Sequence, residues 1–381
     1  MDGNHETIRP RFILILNTIM KKIYILFIAV FWMHSFSRAG NEDRIGQAGA
    51  TQLSINSWAQ SAGLGYGYTP MVRGLESMFL NVGGLAFTEQ TEIGFSRSNW
   101  LRGTDININT FGIAQRVGAE GVLGISVMSM DIADIEITTV SSPDGGIGTY
   151  KPSFNNIALA YSQRFTSSIS GGVLLRGFSE GLPNAKAQGL AIDAGISYVT
   201  SANKDDKLKR DDIKFGISLK NVGPDSRYTG DAFAVRTTND EVTTEEKFTY
   251  AIRTALFNLP TIFNVGFAYD LKLDKTEETY FHRLTPTLNF TYHAFKNNQL
   301  TGGLEYGYKN LLMLRAGFAH EKGIYDYESR RNVYTGIMGG ITIMAPVSKG
   351  GNSKFALDYS YRHTNPFSGT HNLGIRLIVG E

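Results

Sequence analysis

The feature that most constrains this chain is a short repeating pattern that begins near residue 91. Segments of roughly 9 to 12 residues carry apolar side chains at alternate positions, and polar or glycine-containing breaks separate them. One example is "TIFNVGFAYDLKL", and counting from "EIGFSRS" at 92–98 gives about 14 such segments. "YAIRTALF" at 250–257 is an ambiguous further candidate. The pattern predicts an all-β fold.

The residues between the apolar positions indicate where the second face points. In 262–271, Phe263 and Val265 alternate with Asn264 and Gly266. A soluble sandwich would expose a charged face, whereas small and polar residues suit the interior of a closed barrel. About 9 to 11 tilted residues also cross a bilayer core. Residues 91–381 are therefore predicted to form a transmembrane antiparallel β-barrel of about 14 strands in a bacterial outer membrane.

The closing stretch "HNLGIRLIVGE" predicts how the barrel closes. Leu373, Ile375 and Leu377 share one face of the last strand. That strand is expected to pair with the segment at 354–362 and with the first strand at 92–98, because an open edge in lipid would leave backbone groups unpaired. Periodicity alone fits 14 or 16 strands.

The beginning of the chain resembles an export signal. Lys21 and Lys22 precede an apolar run over 23–33, and small residues stand before a possible cleavage ahead of Gly40. We interpret residues 1–39 as a signal peptide, with the true start at Met20. The apolar run is shorter than the roughly 20 residues of a membrane-spanning helix.

Residues 40–90 follow another pattern. "SAGLGYGYTPMVRGLESMFLNVGGLAFT" is rich in glycine and moderately apolar, and it is too irregular for a membrane strand. An exported stretch of this kind ahead of a barrel is predicted to be a plug, or hatch, inside the lumen.

Four motifs, in order, resemble the PorV/PorQ family of outer-membrane proteins, which is related to the FadL-type hydrophobe channels. They are "MFLNVGGLAF", "NNIALAYSQRFTSSISGGVLLRGFSEGL", "SLKNVGPDSRY" and "FALDYSYRHTNPFSGTHNLGIRL". In the first, Asn81, Gly84 and Leu85 match the family's Asn-Pro-Ala-Gly-Leu segment, while Val82 and Gly83 replace its Pro-Ala. The resemblance implies a 14-stranded barrel that works in type IX protein secretion.

Composition excludes several kinds of site. The chain has no Cys, a net charge of +2 and seven scattered His residues. We therefore expect no nucleic-acid partner, no metal, no cofactor and no enzymatic activity. The hatch residues Asn81, Gly83, Gly84 and Leu85 have two interpretations, as a turn that seats the plug or as a gate element that meets ligand.

Two functions stay open. In the first, the outer loops bind the C-terminal signal domain of secreted cargo or a larger translocon barrel, with Tyr150, Phe233, Tyr325 and Tyr327 as aromatic anchors. In the second, the barrel is a FadL-like channel for hydrophobic small molecules, with lipid or detergent in its lumen. In both, outer-membrane lipid surrounds the barrel. An outer-membrane enzyme is disfavoured because no Ser/His/Asp grouping is evident.

Overall fold

The computed structural model describes residues 44–201, 211–238, 247–274, 281–347 and 353–380. The predicted signal peptide, residues 1–39 with the start at Met20, lies outside these ranges. Within them, no helix combines the length and the apolar character that crossing a bilayer requires.

Fourteen antiparallel strands form the barrel, and along each of them apolar residues alternate with small or polar ones. We number the strands β1 (Thr91–Trp100), β2 (Ile106–Val117), β3 (Gly121–Asp131), β4 (Ser153–Arg164), β5 (Ile169–Leu182), β6 (Ala185–Thr200), β7 (Ile213–Val222), β8 (Ile262–Tyr269), β9 (His282–His293), β10 (Gln299–Tyr308), β11 (Leu312–Glu321), β12 (Tyr334–Pro346), β13 (Lys354–Thr364) and β14 (Thr370–Val379). Each strand pairs with the next. The count confirms the prediction of about 14.

The ring closes between its first and last strands. β1 pairs with β14 from Thr91↔Val379 to Asn99↔His371, and β13 pairs with β14 on its other side. This confirms the predicted role of the closing stretch. The ambiguous segment at 250–257 adds no barrel strand, because Lys247–Ala251 pairs with Ala234–Thr238 in a separate ribbon.

The two faces of the strands differ as predicted. Along β14, Leu373 and Ile375 are exposed on the outer face, whereas Asn372, Gly374 and Arg376 are buried on the inner face. The same division holds on β8, where Phe263 and Val265 face outward. The outer face is therefore apolar, as a bilayer core requires.

The connections differ between the two ends of the barrel. We call the end where β1 begins and β14 ends the terminal end, and the other the distal end. Turns 118–120, 165–168 and 309–311 lie at the terminal end, together with the connections 201–212 and 270–281. The two longest connections, 132–152 and 223–261, lie at the distal end, as does 322–333. The short turns 101–105, 183–184, 294–298 and 365–369 also lie at the distal end.

Residues 44–90, which we call the inner segment, contact the inward face around the ring. They contain α1 (Ala59–Ala62), α2 (Ser77–Leu80) and three 3₁₀ turns at Thr51–Ser54, Gly65–Tyr68 and Val82–Phe87. The segment begins at the distal end, where the Gly46 amide donates to the Phe295 carbonyl, and it ends at the terminal end, where Gln90 donates to Val379. It therefore traverses the length of the barrel.

Candidate functional site in the barrel lumen

Eight strands, together with the residue that follows β8, contribute to one line of charged and polar side chains near the terminal end, which we call the charged belt. Its members are Lys214, Asp270, Arg283, Glu305, Arg315, Thr342, Asp358, Arg376 and Glu92. Successive members are joined by distances such as 2.6 Å from Lys214 Nζ to Asp270 Oδ2 and 2.8 Å from Arg315 Nε to Glu305 Oε2. Each charge is therefore paired although it is buried.

Arg376 joins the belt to the inner segment. Its guanidinium donates to both carboxylate oxygens of Asp358, at 2.7 and 3.1 Å, and to Glu92 Oε1 at 3.3 Å. Arg376 Nε also lies 3.9 Å from Glu76 Oε1, on the inner segment. Glu76 in turn accepts the backbone amides of Gln60 and Ser61. Burial raises the pKa of Glu76 to about 7, against the lowering effect of Arg376.

The predicted hatch residues form a turn against β4, β5 and β6. Asn81 Nδ2 donates to the Ile196 carbonyl at 3.0 Å, and Ser170 Oγ donates to the Gly83 carbonyl at 2.8 Å. Gly84 packs against the Val72 carbonyl, and Leu85 is fully buried in the core of the inner segment. These residues thus contact both the barrel wall and other residues of the inner segment. Their two predicted roles, as a turn that seats the plug or as a gate element that meets ligand, both stay predictions.

The distal mouth of the lumen is lined by apolar side chains from β1 to β4, from the inner segment and from the connection 132–152, which we call the mouth patch. It comprises Ile55, Trp100, Ile106, Ile108, Met128, Met130, Ile132 and Phe154. Ile108, Met128 and Met130 are buried, and the others are partly exposed. Barrel interiors are commonly polar, so an apolar lining at the entrance is a departure that calls for a functional reason.

A small cavity, the luminal pocket, lies directly below the mouth patch. It has a volume of about 20 Å³ and shares Ile55 and Met128 with the patch. Its other lining residues are Gln52, Leu53, Ser57, Trp58, Met78, Phe79, Thr110, Ser126, Asn156 and Arg176. The inner segment therefore forms one wall of the pocket and β2 to β5 form the other.

Several buried polar groups near the pocket were not singled out from the sequence. Lys220 is 1% exposed; its Nζ lies 3.5 Å from the centre of the Phe79 ring and has no hydrogen-bond partner among the described residues. Arg176 pairs with Asp193 at 2.8 Å. The alternation of inward and outward residues along each strand could have identified them from the sequence, because these charges occupy the face that otherwise carries small residues.

The predicted aromatic anchors lie in three separate distal connections. Tyr150 pairs with Ile135 in a short ribbon, and Phe233 ends a 3₁₀ turn at Asp231–Phe233. Tyr325 is 79% exposed, yet its ring stacks on Phe318 of β11 with 6.1 Å between centroids. Tyr327 is 64% exposed and lies near the Arg330 guanidinium. The fold does not bring the four together, and their role as partner anchors stays a prediction.

In the described ranges, no three or more His, Asp or Glu side chains lie together as a metal site would require. No protein-family model matches the sequence, and no curated protein matches it.

Solved structures do resemble the fold. The toluene transporter TodX of Pseudomonas putida is 12% identical with a TM-score of 0.50, and the match covers 85% of this chain and 97% of TodX. The toluene transporter TbuX of Ralstonia pickettii is 9% identical with a TM-score of 0.45, and the match covers 80% of this chain and 93% of TbuX. A FadL homologue of Pseudomonas aeruginosa is 11% identical with a TM-score of 0.44, and the match covers 84% of this chain and 96% of the homologue. Identities this low bear on the fold alone. The barrel fold and its apolar outer face place the chain in a bacterial outer membrane.

Proposed function

We propose that the protein is a FadL-type outer-membrane channel for small hydrophobic molecules, with the inner segment as its plug. The observation that carries this proposal is the mouth patch, a cluster of apolar side chains at the distal entrance of the lumen. A hydrophobic solute gains by leaving water for such a surface, whereas an ion or sugar does not. The fold shared with TodX, a toluene transporter, supports the same class of solute.

The plug controls how far a solute can travel in this conformation. Residues of the inner segment such as Leu64, Leu75 and Leu85 are fully buried, and Glu76 contacts the charged belt. The mouth patch and luminal pocket are therefore reached from the distal end, while the plug and belt close the terminal end. Passage requires the plug to shift relative to the wall.

The type IX secretion role rests on the sequence motifs of the PorV/PorQ resemblance. No matching family model or curated protein ties the chain to secretion, and Tyr325, one of its predicted anchors, packs on the outer face of the barrel. The channel is accordingly the better-supported function, and the secretion role stays a prediction.

The test is uptake of toluene into liposomes that contain the purified protein. We expect faster uptake than into empty liposomes and slower uptake by Met130→Gln, which places an amide in the mouth patch. The matched control is Val140→Gln, because Val140 is fully exposed in a distal connection. Uptake equal to that of empty liposomes would contradict the channel, and recovery of a larger barrel or secreted proteins on pull-down would favour the secretion role.

A further inference from the structure

Three buried side chains around the luminal pocket have polar atoms without a partner. Gln52 Nε2, Asn156 Oδ1 and Arg176 Nε have no hydrogen-bond partner among the described residues. Gln52, Asn156 and Arg176 are 3%, 4% and 7% exposed, and all three line the same cavity. A buried polar group left unpaired costs free energy, so these atoms indicate a bound group that pairs with them.

The hydrogen-bonding types of these atoms specify that group. Arg176 Nε and Gln52 Nε2 are donors, and Asn156 Oδ1 is an acceptor. A hydroxyl can donate to Asn156 and accept from one of the two donors. A hydrocarbon would satisfy none of the three.

Among the residues that line the pocket, Arg176 carries the charge, and Lys220 is not part of the lining. Arg176 Nη2 is already paired with Asp193 Oδ2 at 2.8 Å, so its positive charge is balanced. A carboxylate would add an unbalanced buried charge and would place its oxygens against the Asn156 acceptor. The pocket therefore favours a neutral head group.

The size of the pocket and the residues that it shares with the mouth patch indicate where the rest of the ligand lies. A volume of about 20 Å³ holds a group no larger than a water molecule or a hydroxyl. Ile55 and Met128 belong both to the pocket and to the mouth patch. An apolar body attached to the hydroxyl would therefore lie along the mouth patch toward the distal end.

We propose that the luminal pocket binds the hydroxyl of a phenol or alcohol whose apolar body lies on the mouth patch. This inference rests on the proposed channel function and adds, within hydrophobic molecules in general, a preference for those with one neutral hydroxyl.

The test compares 4-propylphenol with propylbenzene, which differ only in the hydroxyl. Trp58 lines the pocket and Trp100 lies in the mouth patch, so quenching of intrinsic tryptophan fluorescence reports binding to purified protein in lipid nanodiscs. Asn156→Leu removes the acceptor at similar volume. We expect it to weaken 4-propylphenol binding about tenfold and to leave propylbenzene binding unchanged. Comparing one ligand between variants cancels its partitioning into lipid.

The matched control is Asn155→Leu, which lies next to Asn156 on the exposed face of β4 and should change neither affinity. If Asn156→Leu does not fold, Gln52→Leu removes a donor from the inner segment instead, with the same expectation. Equal effects of the variant on the two ligands, or no effect on either, would overturn the inference, because the ligand hydroxyl would then not pair with Asn156. Absence of binding by both ligands would also overturn it, whereas the channel itself is judged separately by toluene uptake.

Discussion

At the scale of single residues, the charged belt pairs each of the charges that it contains. Each charged member of the belt lies within 4.0 Å of an opposite charge, and Arg376 serves three carboxylates from β1, β13 and the inner segment. A buried ion pair adds little stability compared with apolar packing, but removing one partner leaves an uncompensated charge. The belt is therefore most sensitive at Arg376.

Replacing Arg376 by Met should lower the free energy of unfolding by about 3 to 5 kcal/mol, since Asp358, Glu92 and Glu76 would lose their shared cation. Urea unfolding of the protein in detergent micelles measures this loss. Arg97→Met is the matched control, because Arg97 is exposed on the outer face of β1. Equal stability of Arg376→Met and the control would show that the belt contributes no net stabilisation.

At the scale of elements, the inner segment depends on the barrel for its structure. Its α-helices and 3₁₀ turns span 4 to 6 residues each, far below the length at which an isolated helix persists in water. Inward-facing glycines on the strands let its backbone approach the wall, as Gly195 does opposite Asn81 and Val82. The segment is therefore shaped by the lumen that it fills.

Gly195→Ala should displace the turn at Asn81, because the added methyl would lie 2.2 Å from Asn81 Oδ1 and 2.9 Å from the Val82 amide. We expect a loss of about 1 to 3 kcal/mol in the free energy of unfolding and faster protease cleavage within residues 44–90. Gly302→Ala is the control, since its methyl would meet nothing within 4 Å. Unchanged cleavage in Gly195→Ala would argue that the turn does not hold the segment to the wall.

At the scale of the whole molecule, closure of the ring and an apolar outer face meet two demands of a bilayer. The continuous pairing from β1 to β14 leaves no unpaired edge. The outer face keeps polar groups out of lipid, so the same strands that would aggregate in water are stable in a membrane.

Ile375→Arg should make folding into lipid vesicles less favourable by about 2 to 4 kcal/mol, which is the cost of a cation on the lipid face near the bilayer centre. Ile375 is 42% exposed on the outer face of β14, between β13 and β1. Ile147→Arg is the control, since Ile147 is exposed in a distal connection. Similar folding of both variants would place Ile375 outside the membrane core.

The sequence by itself determined the strands, their two faces and the closing role of β14. These properties depend on a period of two and on the need to pair an edge, both of which can be read from neighbouring residues. The charged residues on the inner face were also visible in that period, although their partners were not.

Only the tertiary structure decided which charges pair, how the inner segment crosses the lumen, and where the mouth patch meets the luminal pocket. Arg376 and Glu92 are 284 positions apart, and Asn81 donates to a carbonyl 115 positions away. Such contacts depend on strand register, on the stagger around the closed ring and on the glycines that admit a second backbone. None of these has a local signature, because each is a property of elements brought together by closure.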